Sequence, residues 1–160
     1  TITINCTDDV PVITPQSLTT QEDIAHTFSV SDFGFTDADK GDALASIVIT
    51  DLPDSSQGLL TLDGHPVSQN QQVTAADISK LVFTPTQNFN GNASFNYTVS
   101  DGTNISASGT ATITVSPVND APIMVTTAMQ NVDEGDAQIS GTISATHVDN
   151  SYVQARGGWF

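Results

Sequence analysis

The sequence predicts an all-β protein, an antiparallel β-sandwich of about seven strands. Apolar and polar residues alternate in short runs rich in Thr, Val, Ile and Phe, the signature of half-buried strands. Gly, Pro, Asn and Asp punctuate those runs at short intervals, where turns need them. Helical periodicity is confined to Thr74-Ala75-Ala76-Asp77-Ile78, one turn with Thr74 as N-cap.

The elements follow in order. Ala25 to Ser31 alternates, and Ala43 to Leu52 carries the run Ile47-Val48-Ile49. Gly58-Leu59-Leu60-Thr61-Leu62 ends at Asp63-Gly64, a dipeptide that favours a hairpin turn. Lys80 to Thr84 stops at Pro85. Ala93 to Val99 alternates cleanly and stops at Asp101-Gly102, and Ile105 to Val115 alternates again with small residues and Thr. The expected core is Phe28, Val30, Leu44, Ile47, Ile49, Leu60, Leu62, Leu81, Phe83, Phe95, Tyr97, Val99, Ile113 and Val115.

The chain also repeats itself. Thr1-Ile2-Thr3-Ile4-Asn5-Cys6-Thr7-Asp8-Asp9-Val10-Pro11-Val12 aligns without a gap with Thr112 to Ile123. Both copies read as an alternating strand, an acidic turn and a proline. A period of this length suits a whole domain better than a solenoid unit. The expected organisation is a slice of a tandem array. Residues 1–10 end a preceding repeat and its linker, 11–117 form a complete sandwich, 118–122 form a linker, and 123–160 begin the next repeat. That last piece has too few strands to close a sheet face, so it is expected to be mobile or paired with another chain.

Composition narrows the function. The chain has 18 acidic and 3 basic residues, a formal charge of −15. Nucleic-acid binding needs a basic face, and attraction to anionic lipid needs one too. No apolar run approaches the roughly 20 residues that span a bilayer, and no initiator Met or cationic leader is visible. The lone Cys6 excludes an intramolecular disulfide. The acidic residues are mostly Asp scattered through turns, where a side chain can cap local N–H groups. They cluster at Asp37-Ala38-Asp39-Lys40-Gly41-Asp42. In extended chain the carboxylates of Asp37 and Asp39 point the same way. This spacing fits a solvated loop with Lys40 as partner, or a cation site built from oxygen ligands. It is not an EF-hand loop, because the glycine is misplaced and the terminal Glu is missing.

Several motifs stand in a telling order: Glu22-Asp23, Asp37-Ala38-Asp39, Phe83-Thr84-Pro85, Phe89-Asn90-Gly91, Phe95 to Gly102, and Val118-Asn119-Asp120-Ala121-Pro122. This order resembles a bacterial cadherin-like repeat, an Ig-like sandwich found in tandem in large secreted adhesins. Val132-Asp133-Glu134-Gly135-Asp136, Ser140 to Ile143 and His147-Val148-Asp149-Asn150 resemble the start of a VCBS-like repeat. The resemblance implies Ca2+ between successive domains. It assigns Asp8 and Asp9 with Asp37, Asp39 and Asp101 to the upstream junction. It assigns Glu22, Asn119 and Asp120 with Asp149 to the downstream one. The family's acidic Asp-Arg-Glu motif is absent, and Gln87-Asn88-Phe89-Asn90 stands near its place. Asp149 lacks a second Asp two residues before it, since His147 is there.

Other motifs carry little chemistry. His26, His65 and His147 lack metal-ligand spacing. Nucleophile elbows, zincin motifs and phosphate loops are absent. Asn92, Asn96 and Asn104 head formal glycosylation sequons, and Tyr152, Trp159 and Phe160 fit the core of a further domain better than a carbohydrate-stacking platform. The expected function is a non-catalytic, calcium-stiffened spacer at the bacterial surface or in a secreted adhesin, with type I secretion implied by the resemblance. Its partners would be neighbouring repeats of the same polypeptide. The alternative is a module that binds a carbohydrate or protein ligand through its loops.

Overall fold

The computed structural model describes residues 7–39, 41–121, 123–125 and 144–146. The chain divides into two compact units, Thr1–Pro117 and Val118–Phe160. The first unit is all-β, with eleven strands: β1 (Val12–Ile13), β2 (Ser17–Gln21), β3 (His26–Thr27), β4 (Phe35–Thr36), β5 (Ser46–Ile49), β6 (Gly58–Leu62), β7 (His65–Pro66), β8 (Gln71–Thr74), β9 (Leu81–Pro85), β10 (Gly91–Ser100) and β11 (Gly109–Ser116). In the second unit, β12 (Ile123–Val125) pairs antiparallel with β13 (Ser144–Thr146).

The eleven strands form two facing sheets and one short pair. The larger sheet has the order β2-β11-β10-β5-β8, the smaller β3-β9-β6-β7, and β1 pairs with β4. The long strands β10 and β11 read polar and apolar in turn because one face is buried and the other wet. Ala93, Phe95, Tyr97, Val99, Ala111, Ile113 and Val115 point inward, against Leu60, Leu81 and Phe83 of the smaller sheet. Edge-to-face contacts between Phe28 and Phe95 (5.7 Å) and between Phe33 and Tyr97 (5.1 Å) fill the centre, as ring quadrupoles prefer.

The expected strands differ from the observed ones mainly at their ends. Asp63 and Gly64 both take positive φ, 51° and 80°, and join β6 to β7 as a tight hairpin. Thr74 is the N-cap of the 3-10 segment Ala75–Lys80, yet its hydroxyl donates to the Asp77 carboxylate rather than accepting from the backbone. The stretch Ala25 to Ser31 keeps strand form only at β3. The Asp32 carboxylate accepts the Ser29 N–H at 2.8 Å and starts a 3-10 turn, Val30–Phe33. That turn reverses the expected burial: Val30 is 45% exposed, and Phe33 is fully buried in its place. Extra short strands arise because β1, β3, β4 and β7 are two-residue pairings, too brief to leave a periodic signal. His26 is half-buried against Phe28, with Nε2 3.6 Å from Asp32, and His65 is exposed. His147, Cys6, the aromatic residues at the chain end and most of the segment after Pro122 lie outside the described residues.

Candidate metal centre

Three chain segments meet at one end of the sandwich. Asp8 and Asp9 lead into β1, Asp37 to Asp42 follow β4, and Asp101 to Asn104 follow β10. The register explains the meeting. Tyr97 pairs with Gly109, so the C-terminal end of β10 lies at the start of β11. Ser100 also pairs with Ser46, which sets the loop before β5 beside the loop after β10.

Each loop is folded by its own carboxylate. Asp37 Oδ1 accepts the Asp39 N–H at 2.8 Å. Asp101 Oδ1 accepts from Thr103 N at 2.6 Å and from Asn104 N at 2.7 Å. Such turns are the ordinary use of Asp in loops. They also fix the second oxygen of each group. Asp37 Oδ2 and Asp101 Oδ2 are both buried and accept no hydrogen bond from the described residues. A buried carboxylate oxygen without a donor is unfavourable unless a cation or water meets it.

The lead-in is tied to both loops. The Asp9 N–H donates to Asp39 Oδ2 at 2.6 Å. The Asn104 amide donates to Asp8 Oδ2 at 2.8 Å and to the Asp9 carbonyl at 3.3 Å. One carboxylate oxygen from each of Asp8, Asp39 and Asp42 lies within 4.8 Å of the others. Two oxygens on one calcium are at most about 5 Å apart, given bonds of 2.3–2.6 Å. The Asp42 carboxyl is held above its ordinary value by desolvation and by the charges of Asp37, Asp8, Asp39 and Asp101. Lys80 is the only Lys or Arg among the described residues, and it pairs with Asp77 at 3.0 Å. Lys40, the loop's own candidate partner, lies outside the described residues.

The upstream set from the sequence is therefore brought together, with differences in role. Asp8, Asp37, Asp39 and Asp101 converge through their carboxylates, whereas Asp9 reaches the site through its backbone N–H and carbonyl. Asp42 joins the carboxylates, and Asn104 binds the lead-in to the loop. The Asp101-Gly102 turn and a formal glycosylation sequon were the sequence signals at Asn104, and neither gives a sign of a contact with Asp8, 96 residues away.

The residues of the downstream set fall in different units. Glu22 is buried, 2% exposed, at the end of β2, where its N–H donates to the Ser116 carbonyl. Because β2 runs parallel to β11, Glu22 lies at the opposite end of the sheet from Asp101. Asn119, which is exposed, and Asp120 belong to the second unit. Asp149 lies outside the described residues.

A two-sheet β-sandwich whose N-terminal strands reach both β4 and β11, with an acidic pole, is an immunoglobulin-like module. The chain belongs to the bacterial Ig domain family, whose model matches residues 8–115. No curated protein and no solved structure matches the chain. Domains of this family are generally non-catalytic and occur commonly in surface or extracellular proteins. Among the described residues, no helix is long and apolar enough to cross a membrane.

Proposed function

We propose that this bacterial Ig domain is a cadherin-like, calcium-binding spacer in a tandem adhesin array, and that Ca2+ binds at its acidic pole. The observation that carries the reading is the pair of buried oxygens on Asp37 and Asp101 that accept from none of the described residues, set among the carboxylates of Asp8, Asp39 and Asp42. Calcium takes six to eight oxygens in flexible geometry. Five carboxylates and the Asp9 carbonyl are oxygen donors of that kind. When bound, the ion supplies only charge and coordination. The protein supplies the preset oxygens: each Asx turn holds one oxygen and presents the other, and Asn104 keeps Asp8 in reach.

The mechanical role follows from which segments meet. Asp8 and Asp9 form the lead-in to the domain, and the loops belong to its body. A cation shared between them restricts bending at that junction, which is otherwise the default between linked domains. Neighbouring repeats of the same polypeptide are then the partners, with a VCBS-like repeat beginning after Pro122. The setting is a secreted or cell-surface adhesin exported by type I secretion. The downstream junction, with Glu22, Asn119, Asp120 and Asp149, is the corresponding proposal at the other end.

Thermal melting in chelator, magnesium and calcium tests the reading. Stabilisation by a ligand follows its concentration over Kd, so calcium at about 100 times Kd adds about 2.7 kcal/mol. Magnesium adds little, because it demands tight octahedral geometry and keeps its waters. Asp39→Ala removes most of the calcium effect and leaves the fold intact in high salt, where repulsion is screened. An unchanged melting temperature between chelator and calcium would refute the proposal, and an Asp39→Ala chain unfolded in high salt would make Asp39 structural.

A further inference from the structure

Asn104 stands apart in the acidic pole, because its side chain is neutral and carries both a donor and an acceptor end. Its backbone is fixed: its own N–H donates to Asp101 Oδ1 at 2.7 Å, in the turn that follows β10. From that anchor the half-buried side chain reaches across to the lead-in. Nδ2 donates to Asp8 Oδ2 at 2.8 Å and to the Asp9 carbonyl at 3.3 Å. Among the described residues, the other donors to this cluster of carboxylates are the backbone N–H groups of Asp9, Asp39, Thr103 and Asn104 itself. The Asn104 amide is thus the side chain that brings positive partial charge to them.

The two oxygens it collects are of the kinds that a hard cation collects, a carboxylate oxygen and a peptide carbonyl. They belong to consecutive residues of the lead-in. One NH2 group bridging them does what an ion does there, with less charge. The same planar amide carries an oxygen at its other end, and a half-turn about the Cβ–Cγ bond exchanges the two. Asp37 and Asp101 each commit one oxygen to a turn. With one oxygen from each of the five carboxylates and the Asp9 carbonyl, the set reaches only the lower end of the six to eight oxygens that calcium takes. An amide oxygen is a suitable addition.

We propose that Asn104 is first a placeholder for the cation and then its ligand. Without the ion, Nδ2 holds Asp8 and Asp9 in position. With it, the amide turns over, Nδ2 releases both oxygens, and Oδ1 joins the ligand set. This rests on the calcium reading of the acidic pole and adds to it a ligand and an order of events. The ion then meets a lead-in that is already gathered, so less freedom is lost on binding.

Calorimetric titration of the whole chain with calcium tests this, for the parent and for Asn104→Asp, Asn104→Ala and Thr103→Asp. Asp supplies an oxygen without a donor, and Ala supplies neither. Thr103→Asp adds the same charge at an exposed neighbouring position. Asn104→Ala is expected to weaken calcium binding about tenfold, as loss of a supporting group at a metal commonly does. Asn104→Asp is expected to bind at least as tightly as Thr103→Asp, and to melt below the parent in chelator, where its carboxylate faces Asp8. If Asn104→Asp loses affinity as Asn104→Ala does, the side chain acts only as a donor; the proposal is then overturned and the calcium reading stands. Absence of calcium binding by the parent overturns both. NMR of the labelled parent needs no variant. The Asn104 side-chain carbonyl carbon should shift on calcium addition, and its amide protons should exchange faster, while the side chains of Asn92 and Asn96 on β10 serve as unshifted references. An unmoved Asn104 signal in a chain that binds calcium overturns the proposal.

Discussion

Tyr97 shows how much one residue can join. Its ring sits between Phe33 and Phe95, and its hydroxyl donates to the Phe33 carbonyl at 2.9 Å. Burial pushes its phenol up to about 12, against about 10 in an unfolded chain. The raised folded value means that the neutral form is favoured by folding. Its contribution is therefore fully present below pH 10 and is lost as pH rises from about 10 through 12. Tyr97→Phe should cost about 1 kcal/mol at neutral pH, since it leaves a buried carbonyl without its donor. The same variant should lose this part of the alkaline destabilisation. Urea denaturation of both chains at pH 8 and pH 11 measures the two effects; identical pH dependence would show that Tyr97 is not the group responsible. The inward position of Tyr97 was legible from the alternation around it. Its partner Phe33 was not, because the link depends on a 3-10 turn that the alternating pattern Ala25 to Ser31 conceals. The site has the same division. Asp37 and Asp39 were visible as a pair, whereas Asn104 became visible only once β10 had carried it next to Asp8.

At the level of elements, cleanly alternating strands were legible, whereas the two-residue pairings and the strands β2 and β8 were not. Strands β6, β9 and β10 lie within a residue or two of the alternating runs that predicted them. Their faces are set by burial, and a shift by one residue would turn every side chain over. β1 and β4 hold two residues each and depend on contacts distant in sequence, such as the Thr36 hydroxyl on the Val12 carbonyl. Gly58 marks where two elements approach closely. A Cβ there would lie 2.5 Å from the Phe83 ring and 2.6 Å from the Thr84 carbonyl. Gly58→Ala must push β6 away from β9, and overpacking of this kind costs about 1–3 kcal/mol. Equilibrium denaturation of the variant checks this; an unchanged midpoint would mean that the two strands part without loss. Gly34 is constrained differently: it takes φ 55°, and an added Cβ would collide with the Thr14 carbonyl.

For the whole molecule, composition was a guide to where the charge sits, and topology was beyond its reach. The excess of Asp over Lys and Arg pointed to loops rather than a basic face, and the described acids at the candidate centre do gather in loops at one pole. The parallel pairing of β2 with β11 had no signature in either strand. It joins Ser17 through Gln21 with Thr112 through Ser116, segments near opposite ends of the domain in sequence. This pairing decides how the domain carries load. A tether pulled at Asp8 draws β2 towards the acidic pole, and one pulled at Ser116 draws β11 the other way. Past the two-residue β1–β4 contact, the β2–β11 hydrogen bonds then lie across the line of force and must slide together instead of parting one by one. Forced unfolding is governed by the unfolding barrier and not by equilibrium stability. A domain of ordinary thermodynamic stability can therefore be stiff under tension. Single-molecule pulling should give one abrupt rupture from the two termini. A much lower force is expected when the same domain is pulled from Gly64 and Ser116, which unloads that seam; equal forces in the two geometries would deny the seam its mechanical role.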